Sequence, residues 1–91
     1  MSITDSLKEL GIYRPGVYST DGSYIIDLED SSDDFGRVYS LLDKNSNAEY
    51  MQDNSLLTVD NASMYYRYDD IQINIIADFR NNHYKVVANK L

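Results

Sequence analysis

The chain has 91 residues, no cysteine and a formal net charge of −7, with a sequence pI near 4.3. Disulfides, thiolate metal sites and cysteine nucleophiles are thereby excluded. The shortage of Lys and Arg argues against direct binding to nucleic acid or an anionic membrane, both of which need a cationic surplus. No apolar run approaches the roughly 20 residues that cross a bilayer, and no basic start followed by an apolar run marks a secretion signal. A single small acidic domain spanning residues 1–91, working in the cytoplasm, is the expectation.

Ser2–Gly11 reads as a short helix, with Ile3, Leu7 and Leu10 on one face and Gly11 as its stop. Asp21-Gly22 is a hairpin signal, because both positions of a two-residue turn need positive φ. That turn pairs Val17 with Ile26 and Ser19 with Tyr24, putting Val17, Tyr24, Ile26 and Leu28 inward and Tyr18, Ile25, Asp27 and Glu29 outward. A second helix is expected with Ser32 as its N-cap and Asp33 and Asp34 in the first turn, where the helix dipole favours negative charge. Phe35, Val38, Tyr39 and Leu42 follow at helical spacing, and the helix runs out near Lys44-Asn45.

From Ala48 onward the pattern alternates, with turn pairs at Asp53-Asn54, Asp60-Asn61, Asp69-Asp70 and Asn81-Asn82. A two-residue loop at 69–70 pairs Tyr68 with Ile71, Tyr66 with Ile73 and Met64 with Ile75. A similar loop at 81–82 pairs Phe79 with Tyr84, Ala77 with Val86 and Ile75 with Ala88. Both assign Ile71, Ile73, Ile75, Ala77 and Phe79 to one inward face, joined by Leu57, Val59, Tyr50 and Ala48. A one-residue slip inverts that face. On the opposite face Asp78 meets Lys85, Asn74 meets Asn89, and Met51–Leu56 and Ile76–Val87 form apolar pairs near Tyr65. The expected fold is α+β: a mostly antiparallel twisted β-sheet, made of an N-terminal hairpin and a C-terminal meander, with two short helices on its apolar face.

Asp43–Asn54 begins as a calcium loop does, with Asp43, Asn45 and Asn47 at ligand positions. Ala48 then stands where the loop needs Gly, and Asn54 where it needs a bidentate carboxylate. The stretch reads as a turn, and no metal or cofactor is expected. His83, the lone histidine, falls at a hairpin tip opposite Arg80, a poor companion for an imidazole base. No phosphate loop, nucleophile elbow or zinc helix is present. The chain is read as a non-enzyme.

Residues 15–36 hold Asp21, Asp27, Glu29, Asp30, Asp33 and Asp34 and no Lys or Arg. Asp27, Glu29, Asp30, Asp33 and Asp34 form a candidate acidic ridge, with about 6.7 Å between the first two on one strand face. A ridge of regular negative charge stands in for a phosphate backbone and fits a basic protein partner, such as the cleft of a nucleic-acid-binding enzyme. Met51, Leu56, Tyr65, Ile76 and Val87 form a second candidate, an outer patch suited to self-association as a homodimer.

The order of elements (helix, strand, acidic segment with a helix, antiparallel meander) resembles that of phage uracil-DNA glycosylase inhibitors. The resemblance lies in architecture, since Asp27–Phe35 carries neither the Glu-Ser-Ile strand end nor the apolar Leu-Met-Leu-Pro segment of those inhibitors. It implies a small inhibitor, a phage or mobile-element DNA mimic aimed at a host enzyme or defence complex. An immunity or antitoxin-type protein that covers a basic toxin is built on the same chemistry.

Overall fold

Short polar side chains close both helices at their starts. In the computed structural model, which describes residues 2–91, α1 (Ile3–Leu10) begins where the Ser2 hydroxyl accepts the Asp5 amide at 3.1 Å. It ends at Gly11, whose left-handed φ of 79° lets its own amide reach Lys8 O at 3.1 Å and the Ile12 amide reach Leu7 O at 3.0 Å. That pair of bonds is a Schellman cap, and Ile12 is buried beside it. The second helix, α2 (Ser32–Lys44), starts one residue earlier than expected. Ser31, not Ser32, is its N-cap, and its hydroxyl accepts the Asp34 amide at 3.2 Å.

The strands are β1 (Val17–Tyr18), β2 (Tyr24–Asp27), β3 (Ala48–Tyr50), β4 (Leu56–Leu57), β5 (Asn61–Tyr68), β6 (Ile71–Asp78) and β7 (His83–Lys90). They form one antiparallel seven-stranded sheet in the order β1-β2-β7-β6-β5-β3, with β4 also on β5. The fold is therefore α+β as expected. The N-terminal hairpin joins the meander through β2 and β7, which places β7 inside the sheet.

Alternation in β5, β6 and β7 sends Met64, Tyr66, Ile71, Ile73, Ile75, Val86 and Ala88 to a single core. Leu7 and Leu10 of α1, and Phe35, Val38 and Leu42 of α2, cover that face. The Asp69-Asp70 turn gives the expected register, Tyr68 with Ile71 through Met64 with Ile75. Asp69 takes a φ of 56°, which a short polar side chain tolerates.

The other turns differ. The first hairpin closes through a three-residue loop, with the Ser19 amide on Ser23 O at 2.8 Å and the Gly22 amide on Ser19 O at 3.1 Å, and Gly22 at φ 89°. Val17 then pairs with Ile25 and Tyr18 with Tyr24, so Val17 moves to the outer face and Tyr18 to the inner one. The β6–β7 loop uses four residues, 79–82, which shifts the register by two: Ala77 faces Tyr84 and Ile75 faces Val86. A shift of two preserves the faces, but Asp78 now faces His83, Ile76 faces Lys85, Asn74 faces Val87 and Gln72 faces Asn89.

The third difference is between β3 and β4, which do not pair with each other. Both lie along β5, separated by a 3₁₀ turn at Gln52–Asn54. Ser55 bridges the gap. Its hydroxyl accepts the Tyr65 amide at 3.0 Å and donates to Met51 O at 2.8 Å, taking the place of a ladder residue. Val59, expected inward, sits at the tip of the β4–β5 turn and is 94% exposed. Tyr50 and Leu57 are on the core side but at its open rim, 43% and 67% exposed.

Candidate functional site

Two surfaces hold the residues singled out from the sequence. The first is the acidic segment between β2 and α2. β2 ends at Asp27, and its carboxylate accepts the Glu29 amide at 2.7 Å. Leu28 turns into the core, its amide bonded to Tyr84 O at 2.9 Å, while the Tyr84 amide donates to Glu29 O at 3.2 Å. Two residues thus face one, a β-bulge, and Glu29 takes a φ of 57°. The regular strand spacing expected between Asp27 and Glu29 is not formed, because the bulge re-aims the chain there.

Beyond the bulge the Ser31 amide closes a turn on Leu28 O at 3.2 Å, and α2 follows. Asp30 and Asp33 are exposed. Asp34 is partly covered and meets the Arg14 guanidinium at 2.7 Å, which holds its carboxyl below the ordinary aspartate range. Asp27 faces Lys85 across the strands. Among the described residues, Glu29, Asp30 and Asp33 make no ion-pair contact, and Arg37, one turn along α2, adds positive potential at Asp34.

Arg14 itself is set by Tyr24. The buried Tyr24 hydroxyl donates to Arg14 O at 3.0 Å and accepts the Gly16 amide at 2.7 Å, pinning the segment before β1. Gly16 passes so close to β2 that a Cβ there would stand 2.2 Å from Ile25 O. Residues 14–16 are thereby held against the sheet beside the acidic segment, an anchor that the sequence pattern does not announce.

The second surface is the outer face of the sheet, which neither helix covers. Register brings Val17, Ile25, Val87, Asn74 and Tyr65 into one row across five strands. The neighbouring row holds Asp27, Lys85, Ile76, Ser63 and Leu56. Tyr65, Ile76, Val87 and Leu56 of the expected patch therefore share this face. Ile76 and Val87 are diagonal neighbours and not a direct pair. Met51 is half-buried beside the 3₁₀ turn, and its amide bonds Tyr65 O at 2.8 Å. Val17 and Ile25 complete the apolar row and were missed as patch members. Two shallow depressions, of about 480 and 510 Å³, adjoin on this face and share Ile25 and Asp27 in their linings.

His83 stands exposed at the start of β7, and its cross-strand neighbour is Asp78 in place of the expected Arg80. Asn81 engages that carboxylate, with its side-chain amide at 2.8 Å and its backbone amide at 3.2 Å, and holds the Asp78 carboxyl below its usual range. In the Asp43–Asn54 stretch, the Asn45 side-chain oxygen accepts the Asn47 amide at 2.9 Å, a local turn bond, and Ala48 opens β3. Among the described residues no three His, Cys, Asp or Glu side chains gather as a metal would require. No helix among them is long and apolar enough to cross a membrane.

Compared with protein-family models, with curated proteins and with solved structures, the chain shows no significant match.

Proposed function

We propose that this chain is a non-enzymatic inhibitor that binds a basic protein partner in the cytoplasm, setting its acidic segment into the cleft of a nucleic-acid-binding enzyme or defence complex. The observation that carries the reading is the bulge at Leu28–Glu29. It anchors Leu28 in the core and leaves Glu29, Asp30 and Asp33 exposed at one end of the sheet. A fixed backbone carrying exposed carboxylates presents charge at little entropic cost on binding. Arg14 and Lys85 moderate the two ends of the ridge, at Asp34 and Asp27, so the greatest negative charge falls in its middle.

Attraction of this kind weakens as the screening length shortens from about 10 Å at 0.1 M salt to about 3 Å at 1 M. The test uses immobilised wild-type protein and a Glu29→Gln, Asp30→Asn, Asp33→Asn variant, each exposed to a bacterial lysate. A nucleic-acid-binding protein retained by wild type, released by duplex DNA or salt and lost from the variant is the expected result. Equal retention by both proteins, or retention indifferent to salt and DNA, overturns the proposal.

A further inference from the structure

The outer face of the sheet differs in charge from the rest of the molecule. It carries two cations, Arg67 and Lys85, against three carboxylates, Glu49, Asp27 and Asp78, with Glu29 at its rim, so at most two of the chain's seven net negative charges fall on it. Elsewhere a second copy of the chain meets strong like charge, which opposes association. On this face it meets Val17, Ile25, Ile76 and Val87, of which the last three are half-buried although neither α1 nor α2 packs over them.

We infer that this face is the interface of a symmetric homodimer. In a face-to-face pair, a two-fold axis parallel to the strands and midway between β2 and β7 sets each β2 over the β7 of the second copy. Ile25 and Val87 are register partners, as are Asp27 and Lys85. The axis therefore places Ile25 on the second copy's Val87, and Asp27 on its Lys85, each contact occurring twice. Moving the axis onto β7 would oppose Lys85 to itself. The axis between β2 and β7 is thus selected by charge as well as by apolar fit.

The overlap is modest. Four strands at roughly 4.8 Å and the two outward rows at roughly 6.7 Å give about 260 Å² of projected area per copy. Even with side-chain relief, the total stays below the ~1,000 Å² at which stable specific interfaces begin, in the range of weak, transient association. The dimer is therefore a weak, concentration-dependent one, with Glu29 at its rim beside Val17, Ile25 and Asp27.

Sedimentation equilibrium of the full chain, from low to high micromolar concentration, tests this directly. Wild type should pass from monomer to dimer, and Val87→Lys or Ile25→Lys should remain monomeric with an unchanged circular dichroism spectrum. Lys85→Asp alone and Asp27→Lys alone should each weaken the dimer about tenfold or more by opposing like charges. The double variant Asp27→Lys, Lys85→Asp should restore it. A wild type that stays monomeric, a dimer indifferent to both apolar-to-lysine changes, or a charge swap that fails to restore association overturns the inference. Val87→Lys and Ile25→Lys leave all five ridge carboxylates in place, so loss of the dimer in them is distinguishable from failure of the ridge reading.

Discussion

Tyr24→Phe removes one oxygen and leaves the ring. The ring lies stacked on Tyr13 at 6.2 Å between centroids and edge-on to Tyr18 at 4.9 Å, and Phe preserves both contacts. What is lost is the bond from the Gly16 amide at 2.7 Å and the bond to Arg14 O at 3.0 Å. Each is worth about 1 kcal/mol net, and a donor left without a partner in a buried site costs about 1–3 kcal/mol. Gly16 is exposed, so water rescues part of that penalty. The expected loss is therefore about 2 kcal/mol, or a fall of about 8–16 °C in Tm for a domain of this size. Urea and thermal unfolding followed by far-UV circular dichroism measure it, with an unchanged urea m-value showing that the folded and unfolded states are otherwise the same. The loosened segment also carries Arg14, so the Asp34 carboxyl, held low chiefly by that guanidinium, should titrate closer to its ordinary range by NMR. A stability loss below about 0.5 kcal/mol would show that Tyr24 anchors nothing.

Ser55→Ala should cost about 1–2 kcal/mol and speed hydrogen exchange at the Tyr65 amide, which loses its only ladder-type acceptor opposite the 3₁₀ turn. Unchanged exchange there would refute the bridging role. Glu29→Gly should raise stability by about 0.5–1 kcal/mol, because left-handed backbone strains a side chain more than it costs in glycine entropy; a lower urea midpoint would contradict this. Burial pushes the Tyr66 hydroxyl up from 10.0 to about 12, so the fold favours its neutral form. The associated stabilisation is intact below pH 10.0 and is lost as pH rises through about 12, and Tyr66→Phe should flatten that alkaline loss in pH-dependent melts. Ile73→Asp places an unpaired charge at a position with 0% exposure and should abolish the cooperative melt.

The parts of this fold that the sequence made legible are those where two independent constraints coincide. The β5–β6 pairing rests on a two-residue turn and on eight alternating positions in each strand, and the two agree. At 79–82 the alternation tolerates any even shift, so the four-residue loop left no trace in it. At 20–22 the shift is odd, but β1 has only two residues and both are exposed, so no buried side chain enforces the face. The acidic segment was visible as composition, while its bulge depends on Tyr84, 55 positions beyond Glu29 in the chain. Ile25 and Val87 become neighbours through pairing at similar separation, and no local pattern encodes that contact.

The borders of the sheet have a consequence for colloidal behaviour. β1 offers two residues of open ladder behind Pro15, and the opposite border offers three in β3 and two in β4, broken by the 3₁₀ turn. A strand from another molecule needs a longer uninterrupted run of free amides and carbonyls to add on. Cross-β growth is therefore blocked at both ends of the hydrogen-bonding direction, even though the interior strands are rich in isoleucine and tyrosine. Concentrated folded protein should stay free of fibrils, and seeding should require the chain to unfold first.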